Sequence, residues 1–154
     1  MSRQWPQYLV VFGVVLAIIG SAGSSPASHL DESPRRHRIV YQLDEPGADR
    51  ARFVLGNIRN HIAGVGGTQN IEALELVVFG PALKTFVTDG MDPGVRQALE
   101  GLQAQGLTFG ACGNTMKSFA ITLEQLPRGA QALPQGGVVR LMELQERGYA
   151  YIRP

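Results

Sequence analysis

The stretch Leu107–Thr115, with the sequence LTFGACGNT, decides the predicted fold and contains the single cysteine of the chain. Residues Leu107–Ala111 form a short apolar run of the kind found in buried strands. The next four residues, Cys112–Thr115, follow directly, and we predict a short helix over Met116–Ile121. Cys112 is therefore expected at the carboxyl end of a strand and beside the start of a helix.

Short apolar runs alternate with helical periodicity on both sides of this stretch. The other predicted strands are Ile39–Leu43, Leu74–Phe79, Ala130–Leu133 and Tyr149–Ile152. Predicted helices have apolar faces over 51–65, 95–102 and 138–146. The first of these helices is expected to be capped within Asp44-Glu45-Pro46. This alternation favours parallel strands with right-handed crossovers, and so a three-layer α/β/α sandwich with a five-stranded, mainly parallel sheet.

The N-terminal residues have the order typical of a secretory signal peptide: Arg3, an apolar run over Leu9–Ile19, then small residues as far as Ala27. The run has 11 residues, whereas a membrane-spanning helix needs about 20. We predict a signal peptide over 1–27, a linker over 28–37 and one domain over 38–154, in a periplasmic or secreted protein. The alternative is an uncleaved segment that anchors the protein to a membrane.

The charge balance argues against nucleic-acid binding. Of 14 basic and 13 acidic residues, the leader contains one basic residue, Arg3, and no acidic one, so the remaining chain has 13 of each. Binding to a phosphate backbone requires a basic face. The only local basic cluster is Arg35–Arg38, which we interpret as the solvated start of the domain.

Cys112 is the candidate nucleophile, because a helix N-terminus favours the thiolate form. Gly113 permits close approach of the backbone, and Asn114 or Thr115 can donate hydrogen bonds. The alternative is that Cys112 is a small buried apolar residue. One cysteine excludes a thioredoxin-like dithiol, and the histidines, His61 among them, form no recognisable hydrolase motif.

Ligands of parallel α/β sheets bind at the carboxyl ends of the strands. Gly80-Pro81 and Cys112 both lie at predicted strand ends. The candidate site therefore consists of Cys112 as the reactive residue and a pocket formed by Gly80, Pro81, Gly113, Asn114 and Thr115. No metal or cofactor is expected.

Several spaced motifs resemble the DsrE/DsrF-like family. They are Ile39–Leu43, Leu55–His61, Phe79-Gly80-Pro81, Ala111–Thr115 and Gly148–Pro154. The resemblance implies a five-stranded α/β/α fold, a homo-oligomer such as a trimer or a hexamer, and a role in sulfur relay in which Cys112 carries sulfur as a persulfide. Phe79 departs from the family pattern, since many relatives have a histidine before the Gly-Pro pair.

Two functional hypotheses follow. The first is an exported sulfur carrier or sulfurtransferase-like protein, with Cys112 accepting sulfur from a donor and passing it to an acceptor protein. The second is a non-catalytic, oligomeric protein that binds a small ligand at the strand ends, with Cys112 incidental. A cysteine hydrolase is a distant third.

Overall fold

A computed structural model describes residues 36–154 of the chain. The predicted signal peptide and most of the predicted linker lie outside these residues. The five strands are β1 (His37–Leu43), β2 (Ile71–Val78), β3 (Leu107–Cys112), β4 (Ala130–Leu133) and β5 (Ala150–Ile152). Within residues 36–154 there are four α-helices: α1 (Ala48–Gly64), α2 (Pro93–Gln103), α3 (Gly113–Ser118) and α4 (Gly137–Glu146). Short 3-10 helices cover Thr68–Asn70, Gly80–Phe86 and Leu123–Gln125.

The strands form one sheet in the order β4-β3-β2-β1-β5, and every neighbouring pair is parallel. Helices cover both faces, which confirms the predicted three-layer α/β/α fold. Because all strands run the same way, their carboxyl ends meet at one edge, where Leu43, Val78 and Ala111 occupy one level of the register. Cys112 pairs with Leu133 of β4 at the same edge.

The two faces of the sheet bury cores of different size. The larger core lies under α1 and α2 and includes Tyr41, Leu76 and Phe109 from alternate strand positions. The smaller core lies under α4 and consists of Val40, Val77, Leu133, Leu141 and Leu144. Side chains alternate between faces along a strand, and by this alternation Cys112 shares the α4 face with Leu133.

Two predicted helix starts were wrong. Helix α1 begins after Gly47, which has a φ of 109° and provides no side-chain cap, so Asp44 does not cap this helix. Helix α3 spans Gly113–Ser118 rather than Met116–Ile121, and thus begins immediately after Cys112. β1 also begins at His37, one residue inside the predicted linker.

Helix α2 contains the predicted apolar face over 95–102 and begins at Pro93, with Asp92 as its N-cap. The carboxylate of Asp92 accepts a hydrogen bond from the N–H of Val95 at 2.9 Å, and Pro93 occupies the first turn. Such a cap supplies a partner for an N–H that the helix itself leaves unpaired. Within residues 36–154, no helix combines the length and apolar character needed to span a membrane.

Candidate functional site

Cys112 is the last residue of β3, and α3 begins at the next residue. It is the free cysteine of the chain and is only 5% exposed. Three loops meet around it at the carboxyl edge of the sheet: the turn after β2, the start of α3, and the loop that joins β4 to α4. The predicted position of Cys112 at a strand end is confirmed. Its side chain is less exposed to solvent than that of a nucleophile on the protein surface.

Hydrogen bonds lower the pKa of Cys112. Burial raises the pKa of this thiol, but donors facing the sulfur outweigh that effect: the hydroxyl of Thr115 and the backbone N–H groups of Thr115, Gly137 and Asn114. Each of these donors stabilises the thiolate rather than the thiol. The groups that lower this pKa are all uncharged, so the thiolate is stabilised by dipoles and not by an ion pair.

Thr115 connects the end of β2 to the cysteine. Its Oγ1 accepts a hydrogen bond from the backbone N–H of Gly80 at 2.9 Å. A hydroxyl has one proton and two lone pairs, so Thr115 can accept from Gly80 while donating its proton to the Cys112 sulfur. Thr115 is 9% exposed, and its side chain is thereby held between the two strand ends.

Two glycines allow the β4–α4 loop to approach α3. A Cβ atom at Gly113 would lie 2.8 Å from the carbonyl oxygen of Leu133, and one at Gly136 would lie 2.8 Å from the side-chain nitrogen of Asn114. At Gly113 the close atom belongs to the backbone, so a side chain there would force the β4–α4 loop to move; at Gly136 the close atom ends the Asn114 side chain, which can shift. Gly136 also has a φ of 94°, in the region that favours glycine.

Phe79 packs against the first residue of α4. A Cβ atom at Gly137 would lie 2.9 Å from the ring of Phe79. The aromatic ring therefore occupies the side of the site where the family resemblance implies a histidine, and it supplies no proton donor there. It instead supports the residue whose N–H faces the Cys112 sulfur.

The structure assembles most of the predicted site. Gly80 and Thr115 are joined by a hydrogen bond, and Thr115 and Asn114 are among the groups that lower the pKa of Cys112, so these four residues lie together. Gly113 makes room for the β4–α4 loop, and Pro81 is exposed at the start of the 3-10 helix that follows Gly80.

The sequence pattern around Cys112 does not point to Gly137, because Gly137 lies 25 residues further along the chain. The available signal was the pair Gly136-Gly137 between a predicted strand and a predicted helix. Glycine-rich strand–helix turns commonly bring backbone N–H groups to a ligand or a reactive atom. In the sequence, Phe79 ends a predicted strand and departs from the family pattern, and neither feature indicates its contact with Gly137.

Two grooves of the surface are lined by residues other than those around Cys112. One groove of about 480 Å³ runs between α1 and α2, beneath the opposite face of the sheet, and is lined by Gly56, Ala98 and Gly101 among others. A wider groove between Arg96 and Gln131 lies near the start of β3. In the part of the chain that the structure describes, no group of three or more His, Cys, Asp and Glu residues is arranged to hold a metal ion.

Comparisons with known proteins show the same fold in solved structures. No family model and no curated protein sequence matches the chain. A protein of unknown function, MTH1491 from Methanobacterium thermoautotrophicum, matches with a TM-score of 0.67 and 26% identity over 77% of this chain and 99% of that one. The YchN protein from E. coli matches with a TM-score of 0.57 and 17% identity, again over 77% of this chain and 99% of that one.

A third match is BT1422 from Bacteroides thetaiotaomicron, a conserved protein of unknown function. Its TM-score is 0.55 and its identity 14%, over 75% of this chain and 93% of that one. All three matches span nearly the whole length of the solved protein. MTH1491 and YchN are DsrE-like fold proteins, and the chain shares their three-layer, five-stranded fold.

Proposed function

We propose that the chain is a sulfur carrier or sulfurtransferase-like protein that holds one sulfane sulfur as a persulfide on Cys112. The observation that carries the proposal is the set of uncharged donors around the sulfur, which lowers the pKa of a buried thiol. Sulfur exchange begins with attack by a thiolate, so a lower thiol pKa increases the reactive fraction near neutral pH.

In the loading step, the Cys112 thiolate attacks the terminal sulfur of a polysulfide dianion. A new S–S bond forms at Cys112 while the terminal S–S bond of the donor breaks. The donor leaves as a dianion one sulfur shorter, so the total charge is unchanged. The sulfur moves as a neutral sulfane atom, and no external oxidant or reductant takes part.

Release is the corresponding exchange with an acceptor thiolate. The acceptor attacks the outer sulfur of the persulfide, the S–S bond at Cys112 breaks, and the Cys112 thiolate is regenerated. Both steps exchange one sulfur anion for another and require no proton transfer. Phe79 in place of an acid or base is therefore compatible with carrier chemistry.

The cellular setting is part of the proposal. We propose that residues 1–27 direct export to the periplasm or the outside of the cell, and that the protein forms a homo-oligomer, a trimer or a hexamer. N-terminal sequencing of the mature protein tests the cleavage, and light scattering coupled to gel filtration tests the assembly. A donor or acceptor protein would operate in the same compartment.

The burial of Cys112 favours a second candidate function. A residue that is only 5% exposed gives a donor little access, as expected if the domain binds a small ligand at the strand ends and Cys112 is incidental. The two candidates differ in the reactivity of the native thiol, which can be measured directly.

The test is intact-mass measurement of the native full chain after incubation with polysulfide. The carrier proposal predicts a gain of one sulfur atom, which a reductant removes and which Cys112→Ser does not acquire. The same chain unfolded in urea is the control for intrinsic thiol reactivity. A native thiol that gains no sulfur, while the unfolded chain gains one, would overturn the carrier and support the ligand-binding alternative.

A further inference from the structure

A partly buried ion pair lies on the α4 face of the sheet, with the Glu75 side chain buried and the Arg140 side chain partly exposed. Glu75 of β2 carries a carboxylate and is only 5% exposed, in a strand whose neighbouring residues are apolar. Arg140 of α4 donates to both of its carboxylate oxygens, from Nε to Oε1 at 2.9 Å and from Nη2 to Oε2 at 2.7 Å. Two parallel hydrogen bonds fix the orientation of the guanidinium relative to the carboxylate as well as the distance between them. The pair therefore constrains the position of α4 on the sheet.

Gly110 makes room for this ion pair within β3. A Cβ atom at Gly110 would lie 3.1 Å from Oε1 of Glu75 and 2.9 Å from a methyl carbon of Leu133. Gly110 is two residues before Cys112, so both residues are on the same face of the strand. The Glu75 carboxylate therefore lies on the same face of the sheet as Cys112, beside the residue two positions before it in β3.

The ion pair is also connected to the loop that carries the start of α4. The backbone N–H of Arg140 donates to the carbonyl of Gly136 at 3.1 Å. The guanidinium lies 3.9 Å from the carboxylate of Glu143, which accepts a hydrogen bond from the side chain of Gln135 at 3.1 Å. Arg140 thus contacts the sheet on one side and the first turn of α4 on the other.

We propose that Glu75 and Arg140 are positioning residues for the Cys112 site: their ion pair holds α4 so that the N–H of Gly137 lies against the sulfur. Only the use of the thiolate in sulfur transfer rests on the function proposed above. The position of the Gly137 N–H against the sulfur would affect any reaction of Cys112. Gly137 precedes Arg140 by three residues, about 4.5 Å along the helix axis, so a shift at Arg140 is transmitted directly to Gly137.

The stability of the fold does not by itself account for an ion pair at this position. Burial of two charges costs free energy that their attraction offsets only when the geometry is good, and apolar residues of similar volume often replace such a pair without loss of stability. Glu75→Met together with Arg140→Met is therefore expected to fold, while α4 loses the two-point contact that fixes its position.

The experiment measures the pH dependence of alkylation of the full chain by iodoacetamide. Because the chain has one cysteine, the midpoint of the rate profile reports Cys112 alone. In Glu75→Met/Arg140→Met, the midpoint should rise by about one pH unit, the size expected when one hydrogen bond to a charged atom is lost. Arg140→Lys keeps the charge but not the two-point contact, and should raise it by a smaller amount.

Arg52→Met is the matched control. It removes an ion pair with Asp92, at 2.7 Å, on the α1 and α2 side of the sheet, and should leave the midpoint unchanged. A wild-type midpoint in a folded double variant would overturn the proposal, as would an equal rise in Arg52→Met. Should the double variant fail to fold, an unchanged midpoint in Arg140→Lys would overturn it.

The readout separates this inference from the proposed function. Thiol alkylation requires no sulfur donor, so a shifted midpoint supports the positioning role even if polysulfide never loads Cys112. Conversely, a chain that loads sulfur but has the same midpoint in all variants retains the carrier function and loses the positioning role.

Discussion

The backbone N–H of Gly80 and the hydroxyl oxygen of Thr115 are hydrogen-bonded at 2.9 Å, which joins the end of β2 to the first turn of α3. Through this contact, the turn after one strand controls a side chain that faces the cysteine at the end of the next. The arrangement links the stability of the carboxyl edge of the sheet to the reactivity of Cys112. Substitutions at Thr115 allow the effect on stability and the effect on the thiol to be measured separately.

Thr115→Val should raise the pKa of Cys112, because valine keeps the shape of threonine but cannot donate to the thiolate. It should also lower the free energy of unfolding by about 1 kcal/mol, since the N–H of Gly80 loses its acceptor. Iodoacetamide rate profiles and urea unfolding measure the two effects. Thr115→Ser retains the hydroxyl and is the control. An unchanged rate profile in Thr115→Val would show that the Thr115 hydroxyl does not stabilise the Cys112 thiolate.

Gly113→Ala should destabilise the domain by about 1–3 kcal/mol, the usual cost of overpacking. The new Cβ would lie 2.8 Å from the carbonyl oxygen of Leu133 and 3.2 Å from the Cα atom of Pro134, and both of these are backbone atoms. Urea unfolding measures the effect. A wild-type free energy of unfolding would show that the β4–α4 loop moves aside without cost.

Gly101→Ala is the matched control for that substitution. Gly101 lies within α2, and a Cβ atom there would have no neighbour within 4 Å. Alanine in a helix interior is favoured over glycine by roughly 0.5–1 kcal/mol, so this variant should be more stable than the wild type. The two substitutions, Gly113→Ala and Gly101→Ala, should therefore shift the urea midpoint of unfolding in opposite directions.

Much of the fold follows from sequence pattern because each strand is a separate apolar run with a clear break after it. The fourth strand was predicted with its observed bounds, Ala130–Leu133. The start of α3 was not, because Gly113 and Asn114 have low helix propensity and the tertiary packing of Gly113 against Leu133 overrides it. The cap of α1 at Gly47 was missed for a similar reason, since Asp44 is a better capping residue in isolation.

The candidate site was predictable only where it is local in sequence. Thr115 and Asn114 follow Cys112 directly, and Gly80 follows a neighbouring strand. Gly137 depends on the packing of α4, which no local pattern reports. The carboxylate of Glu75 within an apolar strand was a signal for a buried cationic partner, but the sequence does not identify Arg140 as that partner.

Stability should fall as the pH drops below about 6.5, the ordinary pKa of histidine. Nδ1 of His61 is hydrogen-bonded to the Tyr41 hydroxyl at 2.8 Å, and burial, with a smaller effect of His37, lowers the pKa of His61. The unfolded chain therefore binds this proton more readily than the folded chain. The stabilisation is present above pH 6.5 and is lost progressively until the pH passes the lower, folded pKa.

His61→Gln isolates this contribution. Urea unfolding of the wild type and the variant at pH 7.5 and pH 5 gives the change in stability of each, and the difference between the two changes belongs to His61. The wild type should lose more stability on acidification than the variant. Equal losses would show that His61 titrates alike in the folded and unfolded chains.

The most direct test of the carrier is a single cycle of loading and release on the native full chain. Cys112 is loaded with isotopically labelled polysulfide, free donor is removed, and a small acceptor thiol is added while both species are followed by mass spectrometry. We expect that the chain loses one labelled sulfur and the acceptor gains it, with Cys112→Ser inactive at both stages. A chain that never loads the label, or that retains it in the presence of the acceptor, would contradict a carrier function for Cys112.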